Sequence, residues 1–368
     1  MFDRRFYLHL DWPLVAAMYA LCVVGVLMIY STTGDAASAA KARLFLVQIY
    51  AILIGTAAFV ICLSVDYRSL ADRAHVLYAI LIGILVYVLV FGVVRGGGRR
   101  WIPLPLFNLQ LQPSEFVKLA LAILLARLFA ANQTRLLSTG NLLAGGLLTG
   151  VPLLLIMAQP DLGTALTLVP VLLGIAYLAG MRLRVAGVLL ALAIVTAPIV
   201  WNYGLKDYQK ARVVTFLDPW RDPRGKGYQQ IQAQITVGAG GLWGQGFRKG
   251  TQGQLSFLPV SHNDFIFSVL AEEHGFVGVL GVLGLYLFIV ARSLDTARRA
   301  RDRLGTYLVV GVLSSFTFQV LYNISMSAGL APVKGLPLPL MSYGGSSLIA
   351  TLAGFGLILN VRMRRFTN

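Results

Sequence analysis

Apolar residues in this chain come in long unbroken runs separated by short polar breaks, rather than alternating or recurring on one helical stripe. A run of about 17–25 such residues is long enough for a helix to cross the hydrocarbon core of a bilayer. Ten segments qualify, at about 12–32, 44–64, 75–94, 114–131, 142–158, 164–180, 185–203, 264–291, 305–328 and 344–361. A lipid-exposed backbone must satisfy its hydrogen bonds internally, so these runs predict helices. The fold class expected is therefore all-α: a polytopic membrane protein of about ten transmembrane helices, forming one domain over residues 1–368. A membrane β-barrel would show alternating segments of roughly ten residues, and this chain has none. Trp12–Tyr30 exceeds the usual 7–15-residue core of a signal peptide, so the first run reads as a span and not a leader.

Composition agrees: 57% of the residues are hydrophobic and 12% charged, about half the charged share of a soluble domain. A net charge of +16 would suit nucleic acid in a soluble chain. Here the basic residues instead sort by loop, as expected of a membrane protein. Arg4 and Arg5, then Arg68 and Arg73, Arg127 and Arg135, and Arg182 and Arg184 fall on one side, followed by the cluster at 292–303 and Arg362, Arg364 and Arg365. Outside the longest loop, this side holds 16 basic residues against 6 (Lys41, Arg43, Arg95, Arg99, Arg100 and Lys334). Both termini are expected in the cytoplasm, with the long loop of about 202–262, between the seventh and eighth spans, external. Cys22 and Cys62 lie inside apolar runs, and the four histidines are scattered without helical metal-site spacing.

That loop is neither filler nor low-complexity. LKDYQKARVVTFL and GYQQIQAQITV space their apolar residues at near-helical intervals, predicting short amphipathic helices at the membrane surface. DPWRDPRGKG between them is turn chemistry. The glycine-rich VGAGGLWGQGFRKGTQGQ reads as mobile, able to close over a substrate and reopen.

Polar residues at membrane depth are costly and mark candidate chemistry. Asp264 stands where the loop enters the eighth span. Spacing places Ser268 and Glu272 on its helical face, with the helix dipole favouring its charged form. A helix cap is the plainer alternative. Glu272 would lie about 12 Å further along, too far for a second catalytic carboxylate, so it reads as a supporting residue. Glu115 and Lys118 at i, i+3 can pair, as a positioning ion pair or as substrate contacts. Asp161 follows a Pro160 turn as a cap or a substrate contact. Arg99 and Arg100 follow GGG, a simple turn, beside Trp101. Lys334 lies in a Pro/Gly-rich segment before the last span. Together they describe a polar cavity at one membrane face, open to two readings: a transporter for an anionic lipid, or an enzyme acting on one.

At these residues the chain resembles the SEDS family (shape, elongation, division and sporulation). The motifs run in order along the whole length: RRWI at 99–102, QPSEFVK at 112–118, QPDLGTA at 159–165, GYQQIQAQITVGAGGLWGQG at 227–246, KGTQGQLSFLP at 249–259, HNDFIFSVLAEEHG at 262–275 and GLPLPLMSYGGSS at 335–347. Their wording is nearer the rod-shape branch than the division branch. VSHND departs from the family's usual E-x-HTD but keeps the aspartate. The resemblance implies a peptidoglycan glycosyltransferase that polymerises lipid II on the outer face of the bacterial cytoplasmic membrane for cell elongation. Undecaprenyl pyrophosphate would be the leaving group. It implies Asp264 as the essential carboxylate, with Glu115, Lys118 and Asp161 in the cavity. Partners implied are a class B penicillin-binding protein and the elongation machinery. An acceptor hydroxyl needs its proton removed, which a positioned Asp can do. The departing pyrophosphate needs cations, for which Arg99, Arg100, Lys118, Arg212, Arg248 and Lys334 are candidates, or a divalent Mg or Mn ion. A lipid II flippase and an inert scaffold remain the competing expectations.

Overall fold

The computed structural model describes residues 10–32, 39–95, 98–103, 110–132, 136–204, 207–225, 227–254, 257–259 and 261–366. The expectations resting on Arg4, Arg5 and Arg135 lie outside them, as do the side chains of Lys41, Arg43 and Arg95. The chain opens with α1 (Trp12–Thr32), α2 (Ala39–Ser64), the short α3 (Tyr67–Asp72) and α4 (Ala74–Phe91). After a small sheet come α5 (Pro113–Ala130), α6 (Thr139–Ala158), α7 (Leu162–Leu178) and α8 (Leu183–Ile199). The loop holds α9 (Asp207–Leu217), α10 (Tyr228–Ala239) and the single turn α11 (Thr251–Gln254). Last are α12 (Ile266–Arg298), α13 (Arg303–Ser327) and α14 (Gly345–Met363).

Each expected span falls on a helix, and the protein is multi-pass. Among the described residues, seven helices (α1, α2, α4, α6, α12, α13 and α14) are long and apolar enough to cross a membrane. α7 and α8 are apolar but shorter, and α5 carries Glu115, Lys118 and Arg127. α14 is the hub. It is buried without a break from Leu352 to Val361 and packs on α2, α13, α5 and α12. Gly356 lets α2 come close, because a Cβ there would sit 2.6 Å from the Phe59 carbonyl oxygen. Successive connections alternate between the bundle's ends. Arg68, Arg127, Arg292, Arg299 and Arg362 gather at the end of Asp11 and Asp302. Asp161, Asp264 and Lys334 occupy the other.

Three local features differ from the sequence expectation. The connection between α4 and α5 is not plain loop: β1 (Val93–Arg95), β2 (Gly98–Pro103) and β3 (Gln110–Leu111) form an antiparallel sheet in the order β1-β2-β3. The β-branched and aromatic residues Val93, Val94, Trp101 and Ile102 suit strands. Secondly, α12 is broken at Gly275 (φ 63°, ψ −165°), a backbone region essentially reserved for glycine. Thirdly, the glycine segment 240–250 is not a mobile flap but a strap spliced into that break. Phe276 and Val277 N–H donate to the carbonyls of Gly241 (2.9 Å) and Leu242 (3.2 Å). In return, Gln245 and Gly246 N–H donate to Glu272 and Glu273 carbonyls, both at 2.9 Å. The groups freed by the kink are thus satisfied by the strap. A Cβ on Gly244 would collide with the Glu273 carbonyl, so the glycines serve close approach here rather than mobility. The two amphipathic loop helices form as expected, as α9 and α10.

Candidate active site

Asp264 does not lie on α12. The helix starts at Ile266 with Phe265 as its cap residue and no capping side chain. Asp264 therefore neither caps the helix nor shares its face with Ser268 and Glu272. Its backbone is clamped instead. The carbonyls of His262, Asn263 and Asp264 accept from Tyr343 N–H (3.0 Å), Ser342 Oγ (2.6 Å) and Asn323 Nδ2 (2.9 Å). The carboxylate faces Gly335, where a Cβ would lie 3.5 Å from Oδ2. Asp264 Oδ1 is buried without a hydrogen-bond partner among the described residues. Burial pushes the Asp264 carboxyl up to about 7; the charges of Arg212 and Arg100 pull it down, and that of Asp161 adds to the rise. An acid balanced there holds its proton loosely at neutral pH, which suits a general base.

Asp161 caps α7, as its position predicts: Thr164 N–H and Oγ1 donate to Oδ1 (3.1 Å) and Oδ2 (3.0 Å). Gln112 Nε2 adds a third bond to Oδ2 at 2.8 Å. Arg100 approaches the same oxygen at 3.7 Å. Burial raises the Asp161 pKa, opposed by Arg100 and by the Thr164 bonds. Arg100 is thereby held where its field reaches both aspartates. Pro113 opens α5, and Lys118 Nζ donates to Glu115 Oε2 at 2.7 Å, the pair being almost wholly buried. Lys118 also donates to Gln319 Oε1 at 3.1 Å. A cleft of about 30 Å³ lies against this pair, lined by Ser315, Gln319 and Thr351 among others, roomy enough for a water. It belongs to the ion pair and not to Asp264.

The cations divide. Arg212 on α9 influences Asp264, Tyr322 and Lys334 together. Burial lowers the Lys334 pKa, and Arg212 lowers it further. Arg99 is exposed and donates to the Val90 carbonyl at 3.0 Å. It edges a separate groove of about 250 Å³ with Gly98, Gln159 and Pro160. Arg248 stacks over Tyr30, 5.2 Å from the ring centroid, and meets Glu273, and none of its described contacts reaches Asp264. The structure thus draws Arg100 and Arg212 towards Asp264, sets Lys334 next to the Gly335 that faces it, and leaves Arg99 and Arg248 elsewhere. Glu272 holds the start of α11 by accepting from Gln252 N–H (2.8 Å) and Thr251 Oγ1 (3.3 Å). Ser268 is fully buried, and its hydroxyl makes no hydrogen bond among the described residues. Sequence inspection passed over Gln319 and Asn323, two amides one turn apart in an apolar span, which is itself a signal.

The family profile for FtsW, RodA and SpoVE cell cycle proteins matches residues 12–366. The chain belongs to that family. Peptidoglycan glycosyltransferase MrdB of Escherichia coli K12 is 39% identical over 359 residues, covering 97% of this chain and 94% of its own length. A probable peptidoglycan glycosyltransferase FtsW of Geobacter metallireducens is 37% identical over 363 residues, at 96% and 95% coverage. Among solved structures, a chain from work on how a peptidoglycan synthase complex coordinates polymerization and crosslinking superposes with a TM-score of 0.83. It is 35% identical, at 98% and 99% coverage. The rod shape determining protein RodA of Thermus thermophilus gives 0.72 at 32% identity, with 98% of each chain covered. In this family member the departure at VSHND leaves the aspartate clamped, since the residues holding the loop end come from α13 and the segment before α14.

Proposed function

We infer that this protein is a peptidoglycan glycosyltransferase of the elongation type, polymerising lipid II into glycan strands. The observation that carries the catalytic assignment is the Asp264 carboxylate: backbone-clamped, close to several cations, yet without an ion-pair partner within 4 Å or a hydrogen bond to Oδ1 among the described residues. In the reaction, an acceptor sugar hydroxyl attacks the anomeric carbon of a donor. The new C–O bond forms as the bond to the pyrophosphate oxygen breaks, and undecaprenyl pyrophosphate departs. Asp264 takes the hydroxyl proton, a role typically worth about 10²–10⁴-fold in rate. Arg100, Arg212 and Lys334 offset the charge building on the leaving group.

Among the described residues no three His, Cys, Asp or Glu side chains gather as a metal cage. A Mg or Mn ion would therefore rest mainly on substrate phosphate oxygens and waters, a mode usual for Mg. Bound there, it would supply further charge compensation. By the distribution of basic residues, the Asp11 end is cytoplasmic and the Asp264 end lies on the outer face of the cytoplasmic membrane. A class B penicillin-binding protein and the elongation machinery are the partners this assignment calls for, to crosslink the strands. The test is purified protein in proteoliposomes given lipid II with and without Mg. Glycan strands support the proposal, while transbilayer movement of lipid II without polymer would replace it with a flippase.

A further inference from the structure

The Glu115–Lys118 pair is too occupied to be a simple substrate clamp. Lys118 spends donors on Glu115 and on Gln319 Oε1. Gln319 turns its other end to the chain segment before α14, with Nε2 donating to the Pro337 carbonyl at 3.0 Å. One turn on, Asn323 is fully buried. Both hydrogens of its amide are used, on the Leu336 carbonyl (2.7 Å) and on the Asp264 carbonyl (2.9 Å). Tyr322 on the neighbouring face donates to the Pro332 carbonyl at 2.9 Å.

Two adjacent faces of α13 thus hold three carbonyls of a proline-rich, non-helical segment. Such backbone persists at membrane depth only when buried in protein or lining a wet cavity. The segment it holds carries Gly335 against the Asp264 carboxylate and Ser342 against the Asn263 carbonyl. The amide orientation at 323 is fixed by this pattern, because a flipped side chain would point its oxygen at two carbonyl oxygens.

We propose that Gln319 and Asn323 are positioning residues that set the placement of Asp264, and that the Glu115–Lys118 pair acts on the reaction through them rather than by touching substrate. The chain of contacts runs Glu115, Lys118, Gln319, Pro337 carbonyl, the 335–337 backbone, then Asn323 and Asp264. It involves no new chemistry, only the distance and angle at which the Asp264 carboxylate meets the acceptor hydroxyl, and small misplacement of a catalytic group costs rate steeply. The proposal rests on the glycosyltransferase assignment made above.

The test uses the full-length protein in proteoliposomes. Variants are Asn323→Asp, Asn323→Leu, Gln319→Glu, Gln319→Leu and Lys118→Met, each checked for thermal unfolding. Asn323→Asp is nearly isosteric yet cannot donate to both carbonyls when ionised, and Gln319→Glu keeps an oxygen for Lys118 but not the donor to Pro337. With lipid II, kcat should fall about tenfold or more in each, with KM changed by less than about twofold. Lys118→Met and Gln319→Leu should be strongly non-additive when combined, as links in one chain.

A second readout does not depend on turnover. The pH dependence of Asp264 labelling by dicyclohexylcarbodiimide, followed by mass spectrometry, should shift its midpoint in the variants, in a site where Arg100, Arg212 and Asp161 are unchanged. Folded Asn323→Asp with unaltered kcat and labelling would overturn the proposal, as would losses confined to KM or simple additivity of Lys118 and Gln319. Should wild-type protein make no polymer, the functional assignment fails. The labelling midpoint then decides alone whether these residues place Asp264.

Discussion

The carboxylates at the Asp11 end of the bundle and Asp264 at the other are treated in opposite ways. At one end, Asp11 is fully buried and is met by Arg292 at 2.8 Å and Arg362 at 3.2 Å. There, Asp302 takes Arg68 and the Tyr67 hydroxyl, Asp66 takes Arg364, and Asp295 takes Arg299 and Arg362. Every one of these acids has a guanidinium within 4 Å. At the other end, Asp264 has cations in its neighbourhood but none paired with it among the described residues, and its backbone is held by neutral amides and hydroxyls. Pairing at one end ties α1, α3, α12 and α14 together. Withholding a pair from Asp264 at the other keeps one acid available to exchange a proton. A cost in stability comes with that choice, and strongly perturbed buried acids of this kind cluster at functional sites.

The sharpest way to exploit this contrast is pH. If Asp264 must be ionised to act, polymerisation should rise about tenfold per pH unit below a midpoint near 7 and level off above it. A rate independent of pH from 5 to 8 would break the comparison at the Asp264 end. Stability should show the opposite trend. The folded pKa lies above the unfolded one, so the folded state keeps a proton that the unfolded chain has released. The stability from Asp264 is full below about pH 4 and is lost as pH rises to about 7. Asp264→Asn abolishes this slope, and the variant should unfold no lower than wild type at pH 8.

A smaller effect belongs to the paired end. Asp11→Asn should cost about 1–3 kcal/mol by weakening charged hydrogen bonds to Arg292, while the rate per folded molecule stays unchanged. A lost rate with intact folding would show that the two ends are coupled. Smallest of all is Arg299→Ala. Its pair with Asp295 is exposed and spaced i, i+4, worth about 0.3–0.5 kcal/mol. A larger loss in thermal or denaturant unfolding would mean that the Asp295 cluster acts as a network.

What the sequence made legible follows from the range of the interactions. The apolar segments fall on helices, although only seven helices among the described residues are long and apolar enough to span. They depend on neighbours along the chain, as do the α9 and α10 periodicity, the Glu115–Lys118 pair three residues apart and the Asp161 cap, which are seen in the fold. The clamp on Asp264 joins residues 59 and 79 positions apart, and no local pattern announces it. The cost of a carboxylate in a membrane setting points to Asp264, but its place two residues before α12 and the burial that raises its carboxyl pKa depend on packing distant along the chain. The glycine segment misled in another way. Glycine permits both mobility and close backbone approach, and only the kink at Gly275 shows which one applies.

The account stands or falls on whether Asp264 is the proton acceptor. Wild-type and Asp264→Asn proteins, reconstituted alike and shown by thermal unfolding to be folded at pH 8, should be given lipid II and their glycan strands resolved by length. The structure predicts strands from the wild type and a rate lower by at least about 10²-fold from the variant. Strands made at the wild-type rate by folded Asp264→Asn would contradict it.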